Sequence, residues 1–296
     1  MKPKHLFLAL IVAAIWGFNF VAIKVALVSF PPLFLVVLRF AFAALLIVVL
    51  PRPPVPWRQL ILVSVLLFLG QYALLFPAMA YGMPPGLASI VIQIQAFFTI
   101  LIAALFLRER PTTRQLLGAG TAGIGLLVIG VNLGVDVTVL GLGLSIASAI
   151  SWAFGNVLLR RVGQVDMLPL IAWLSLIPPL PLLGISLIME GPAALNTAVH
   201  SVTWLTGGAV LYIAFISTIV GFAIWGHLLK MYPAGTVAPF ALLVPIFGAG
   251  SSALVLGERF GSIRLIGMAL VMAGLAVIAL PWPLKRPALA KPSLRV

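Results

Sequence analysis

The sequence contains no cysteine. Disulfides, thiolate metal sites and thiol nucleophiles are therefore excluded. Charge is nearly as scarce: 8% of the 296 residues are charged, and only five are Asp or Glu. A soluble domain carries roughly a quarter of its residues charged, so water is not the solvent this chain is built for. Histidine occurs three times, at His5, His200 and His227, which fall in different regions. That is too sparse for a catalytic cluster. A membrane enzyme acting on lipids or peptides lacks its raw material, and the sequence calls for no metal or covalent cofactor.

What is abundant is apolar surface, with 63% of residues hydrophobic. In hydrocarbon every backbone polar group must be satisfied internally, which leaves helices or a closed barrel. Barrel strands alternate apolar and polar residues. Here the apolar runs are continuous, so the fold class is all-α integral membrane. A spanning helix needs roughly 20 mostly apolar residues. Ten spans fit, near 5–28, 33–50, 60–80, 85–107, 114–131, 139–159, 168–189, 203–229, 234–256 and 262–281. Proline and glycine punctuate the gaps at Pro31-Pro32, Pro51 to Pro56, Pro84-Pro85, Pro111, Gly191-Pro192 and Pro233. Lys2 and Lys4 before the first run resemble a signal peptide. The run is long and many follow it, so it reads as a first span that stays attached.

The formal charge is +13, but the basic residues lie in short gaps, where a positive-inside pattern accounts for them without nucleic acid. With the N-terminus in the cytoplasm, the inner segments hold Lys2, Lys4, Arg52, Arg58, Arg108, Arg110, Arg114, Arg160, Arg161, Lys230 and the tail cations. The outer segments hold only Arg259 and Arg264. Nine or eleven spans would scramble this segregation, so both termini are expected in the cytoplasm. The basic, Pro-rich tail at 283–296 would lie near anionic headgroups.

The two halves, 1–133 and 134–282, repeat each other. At a constant offset of 149 residues, Glu109-Arg110 faces Glu258-Arg259, Gly118 faces Gly267, and Gly125 faces Gly274. Pro84, Gly86 and Phe98 face Pro233, Gly235 and Phe247. Five spans per half is an odd number, so the second copy must cross with opposite sense. Inverted repeats of this kind give alternating access around a midplane site.

Trp16-Gly17-Phe18-Asn19-Phe20 with Lys24, Pro31-Pro32 and Leu38-Arg39-Phe40 resemble the opening of the EamA family, in the drug/metabolite transporter superfamily. The stretch from Gly82 through Gln93-Ile94-Gln95-Ala96-Phe97-Phe98-Thr99 resembles its O-acetylserine and cysteine exporter branch. Ser151-Trp152, Gly155-Asn156, Ile219-Val220-Gly221 and Leu242-Leu243-Val244-Pro245 extend the resemblance from Leu10 to Ile278. The resemblance implies ten spans, two repeated domains, and export of amino acids or related metabolites across the inner membrane. Export of lipophilic drugs, or carriage of lipid-linked precursors, is the alternative that the aromatic residues leave open.

Polar groups within spans usually face the bundle interior. Trp16 and Asn19 share a helical face, as do Ser145, Ser148, Trp152 and Asn156. These faces are read as two walls of a central substrate cavity; the competing reading is that they tie helices together. Gln93 shares a face with Ser89 and Gln95 with Thr99, so one glutamine is expected to line the path. Gln71 and Tyr72 raise the same question on the third span. Arg39 is either a bidentate partner for a substrate carboxylate or a snorkelling cation, the role expected of Lys24. Glu109 and Glu258 are expected to end helices and pair with the adjacent arginines. No Asp or Glu lies deep in a span, which argues against proton antiport through a buried carboxylate. His227, the only histidine placed within a span, leaves protons as a candidate coupling ion. Pro77, Pro178, Pro179, Pro239 and Pro245 are candidate kinks.

Overall fold

The computed structural model describes residues 1–280 apart from 107, 109, 133–135 and 164. The expected role of Glu109 and the basic tail at 283–296 lie outside the described residues. Those residues form helices joined by short loops, with no strand among them. The helices are α1 Pro3–Ala26, α2 Pro32–Val48, α3 Trp57–Ala80, α4 Pro85–Phe106, α5 Thr113–Val131, α6 Val139–Val162, α7 Met167–Met189, α8 Pro192–His200, α9 Trp204–Met231, α10 Ala238–Leu256 and α11 Ser262–Ala279. Among the described residues, nine of these are long and apolar enough to cross a membrane. The shorter apolar helix, α2, is about 25 Å long at helical rise, slightly under a hydrocarbon thickness of about 30 Å. Helix α8 is a short amphipathic link beyond α7.

Several helices start where the sequence supplies a stop and a cap. Proline stands in the first turn of α1, α2 and α4, where its missing N–H costs nothing. Thr112 caps α5 reciprocally with Gln115, and Thr203 caps α9 with Thr206. Pro178-Pro179 breaks α7 between Ser175 and Pro179, as expected of a proline that removes a backbone donor.

Two kinds of irregularity recur in both halves. Helix α3 is π-helical over Val65–Gly70 and α9 over Tyr212–Val220. Displaced by 149 residues, the first segment falls within the second. Helix α4 tightens to a 3-10 helix over Ile92–Ile94, and α10 begins with one at Ala238–Leu242. A π segment leaves backbone carbonyls off the regular ladder, and side chains of neighbouring helices take them. Ser151 Oγ donates to Leu66 O at 2.7 Å, and Trp16 Nε1 donates to Ser217 O at 3.0 Å.

The most intimate helix crossing joins α5 to α11. A Cβ placed on Gly118 would meet Gly274 O at 2.6 Å, and one on Gly125 would meet Gly267 O at 2.6 Å. In lipid there is no hydrophobic drive between helices, so close van der Waals contact between small residues does that work. Gly120 and Gly123, on the same helix, have nothing within 4 Å. Leu116, Leu117, Ile124 and Leu127 are exposed there, as a lipid-facing side requires.

Contacts at the helix ends fall into two sets. At one end, Leu33 and Phe34 N–H donate to Glu190 at 2.7 and 3.1 Å. At the same end Gly86 N–H donates to Glu258 at 2.8 Å, and Arg264 pairs with Asp136 at 2.5 Å. At the other, which carries the N-terminus, His5 bonds Tyr232 at 2.7 Å, Lys230 pairs with Asp166 at 2.5 Å, and Trp57 meets Trp173 edge to face.

Candidate functional site

Glu258 departs from its expected role. Its carboxylate does not pair with Arg259; it accepts from the N–H groups of Gly86 and Leu87 and from Ser252 Oγ. Glu190 serves the first turn of α2 in the same way and also accepts from Ser186 Oγ. A helix start presents unpaired N–H groups and a partial positive charge, so an anion belongs there. Sequence could place these carboxylates at helix ends but not say that the helix they serve is a distant one. Asp136 and Asp166 go to Arg264 and Lys230. Among the described residues every carboxylate is therefore committed near a helix end.

Arg39 receives none of them. It lies seven residues into α2, 2% exposed. Asn19 on α1 and Tyr72 on α3 sit at matching depth, seven and eight residues from the same end of their helices, or about 10–12 Å at helical rise. Arg39 is thus buried well inside the span, and its guanidinium does not reach an interface. Its hydrogen bonds go to neutral oxygens at long range, Asn19 Oδ1 at 3.4 Å and Tyr72 Oη at 3.3 Å. The cation lies 4.2 Å from the Tyr72 ring centroid, close enough for a cation–π contact. Phe40 and Phe68 close the apolar side, stacked at 4.8 Å. A central arginine costs at least about 2.5–3.5 kcal/mol on membrane-insertion scales. Two long hydrogen bonds and a ring face are a partial return on that.

The remaining candidates divide between two further places. Asn156 Nδ2 on α6 donates to Gln95 Oε1 on α4 at 2.8 Å. Gln93 lies within the 3-10 segment Ile92–Ile94, and both glutamines are half-buried. Trp16 packs between α1 and the end of the α9 π segment, with Phe222 and Trp225 rings at 5.2 and 5.3 Å. Trp152 is half-buried against the core. The two proposed walls differ in use. Ser145 Oγ returns to Gly141 O, and Ser148 Oγ donates to Gln71 O. Both serines are fully buried; Ser148 ties α6 to α3, while Ser145 bonds within α6. Gln71 itself is 2% exposed. Among the described residues, no hydrogen bond or ring contact joins the Trp16 face to the Trp152 face.

Lys24 is exposed and lines an open cavity of about 440 Å³ with Phe30, Pro31, Ala80, Ala194 and Thr197. That fits a snorkelling cation. The histidines correct the expectation that they lie apart. Packing of the α1 start on the α9 end brings the rings of His5 and His227 to 6.0 Å. Among the described residues, no group of three or more His, Asp or Glu side chains could hold a metal.

A bundle of apolar helices with irregular backbone at matching places, and buried polar clusters between helices, is the architecture of a multi-pass membrane protein. The chain belongs to the EamA-like transporter family, whose model matches it twice, over residues 3–131 and 139–280. A probable amino-acid metabolite efflux pump of Salmonella typhimurium is 42% identical, over 97% of this chain and 99% of that one. Its counterpart in Escherichia coli is also 42% identical, over 94% of this chain and 95% of that one. A solved crystal structure at 17% identity shares the fold, with a TM-score of 0.61 over 94% of this chain and 96% of that chain. The protein is a transporter of the cell inner membrane and not an enzyme.

Proposed function

We propose that the protein exports small amino-acid metabolites of the cysteine or O-acetylserine type from the cytoplasm. The mechanism is alternating access between two inverted five-helix repeats. The observation that carries the mechanism is the crossing of α5 and α11. Gly118 meets Gly274, and Gly125 meets Gly267. Under the 149-residue offset Gly118 corresponds to Gly267 and Gly125 to Gly274, so each contact maps onto the other. That exchange is the mark of a two-fold relation. The recurring π and 3-10 segments support the same relation, and the efflux pumps at 42% identity support the export of amino-acid metabolites.

The end contacts support ten crossings, and the distribution of Lys and Arg supports cytoplasmic termini. Helix α2 leads from the end where Glu190 holds its first turn to the end where Trp173 Nε1 donates to Leu50 O at 3.3 Å. It therefore counts as a span despite its length. In this reading the repeats exchange shapes at little cost, because each half adopts the other's conformation. Asn156 and Gln95, with Trp152, form part of the substrate path, and so do Trp16, Asn19, Arg39 and Tyr72. With every described carboxylate engaged at a helix end, coupling falls to exchange down the substrate gradient or to a histidine.

Counterflow of labelled O-acetylserine into proteoliposomes holding the purified protein tests this, with and without an imposed pH gradient. Uptake driven by unlabelled substrate alone is expected, and it should fall in Asn156→Ala and Trp152→Ala without loss of folded protein. Absence of uptake by folded wild-type protein, with uptake of a lipophilic cation instead, would overturn the assignment.

A further inference from the structure

Arg39 Nε is the one buried side-chain nitrogen or oxygen among the described residues without a hydrogen-bond partner. The group that carries it is a full charge, 2% exposed and about 10 Å inside the bundle. No carboxylate of the described chain lies within ion-pairing distance of it. Buried charges are normally paired and hydrogen-bonded, so this site lacks a negative partner.

We infer that Arg39 is the anchor for the substrate's carboxylate, and that Asn19 and Tyr72 hold its place when no substrate is bound. This rests on the export reading given above. Asn19 and Tyr72 take one terminal nitrogen each, at 3.4 and 3.3 Å. Both distances lie at the loose limit for such bonds, so little is lost when a stronger acceptor displaces them. The Tyr72 ring lies against the guanidinium and keeps its plane fixed. The edge carrying Nε, with a hydrogen of the neighbouring terminal nitrogen, is the fork that a carboxylate engages by two parallel hydrogen bonds. A lysine offers a point charge and no such fork.

Depth and burial set the route. A group 2% exposed is reached only when α1, α2 and α3 part, so docking of the carboxylate is coupled to the opening of the first repeat. The substrate class that follows is a small metabolite with a free carboxylate, carried as anion or zwitterion. Amines that lack the carboxylate leave the cation as it stands in the empty protein and gain nothing from it.

The test compares L-cysteine with cysteamine, which is the same molecule without its carboxylate, as competitors of labelled O-acetylserine counterflow. In wild-type protein cysteine is expected to compete at least about 10-fold better, the scale of one hydrogen bond to a charged group. Arg39→Lys should keep the preference with weaker apparent affinity for cysteine. Arg39→Gln should bring the two competitors within about 2-fold. A wild-type carrier that takes cysteamine as well as cysteine overturns the inference while leaving the exporter reading intact. So does an Arg39→Gln protein that folds, transports and still prefers cysteine. Wild-type protein that moves none of the three compounds overturns the exporter reading instead. Should Arg39→Gln fail to fold, the wild-type preference and the Arg39→Lys affinity decide the matter.

Discussion

Replacing Gly274 by alanine puts a methyl group 2.4 Å from Gly118 O and 2.5 Å from Ala122 N on the facing helix. Ordinary contact begins at 3.4 Å, and both neighbours are backbone atoms that cannot rotate away. Helices α5 and α11 must therefore separate by about 1 Å, a gap that forfeits a quarter to a half of each dispersion well across the crossing. Overpacking of this kind costs about 1–3 kcal/mol. Gly123→Ala is the matched control. It lies on α5 with nothing within 4 Å, and it gains up to about 1 kcal/mol of helix propensity. The propensity gain is common to both, so the two variants should differ by the overpacking, about 1–3 kcal/mol. At about 2–4 °C per kcal/mol for chains near this size, that is about 2–12 °C between their midpoints. Thermal unfolding of detergent-solubilised protein, followed by size exclusion, reads the difference. Gly118→Ala should behave like Gly274→Ala, and the double variant should cost less than the sum, because both act on one contact. Midpoints for Gly274→Ala and Gly123→Ala within about 2 °C of each other would refute the crossing and remove the main support for the paired repeats.

Two further outcomes follow from the helix ends. Glu258→Ala strands the N–H groups of Gly86 and Leu87 and should destabilise by about 1–3 kcal/mol. Glu258→Gln keeps an acceptor, loses the charge, and should cost about 1 kcal/mol or less; thermal midpoints that rank the two the other way round would contradict the cap. The Arg264 hydrogen bond holds the Asp136 carboxyl below its ordinary value of 3.8. A carboxyl depressed by folding stabilises fully above that ordinary value, and its contribution disappears as pH falls through the lower folded one. Asp136 is 45% exposed, so the contribution is under about 1 kcal/mol. Midpoints measured from pH 6 down to pH 2.5 should converge between wild type and Asp136→Asn at the acid end and separate above about pH 4. A gap that persists unchanged at the acid end would show that the ion pair is not its source.

Sequence alone determined which stretches enter the membrane, because an apolar run must satisfy its own backbone and only a helix does so. Among the described residues ten apolar helices stand close to where the runs put them, and α2 starts a residue earlier and ends two residues earlier than expected. The chain also announced its odd cation: an arginine inside an apolar run is visible without coordinates. Its surroundings were not visible. Asn19, Arg39 and Tyr72 come from three helices, and only their packing sets the three at one depth with one nitrogen unpaired. The π segments escaped notice because Val65–Gly70 and Tyr212–Val220 are ordinary apolar sequence. Their hydrogen-bond register is set by the side chains of α6 and α1 that take the freed carbonyls. Gln93 and Gln95 were indistinguishable on a regular helix. The 3-10 turn that contains Gln93 and the bond from Asn156 to Gln95 give the two different surroundings. Local periodicity decides which side of a helix is apolar, but which helix it meets, and at what height, is a property of the whole bundle.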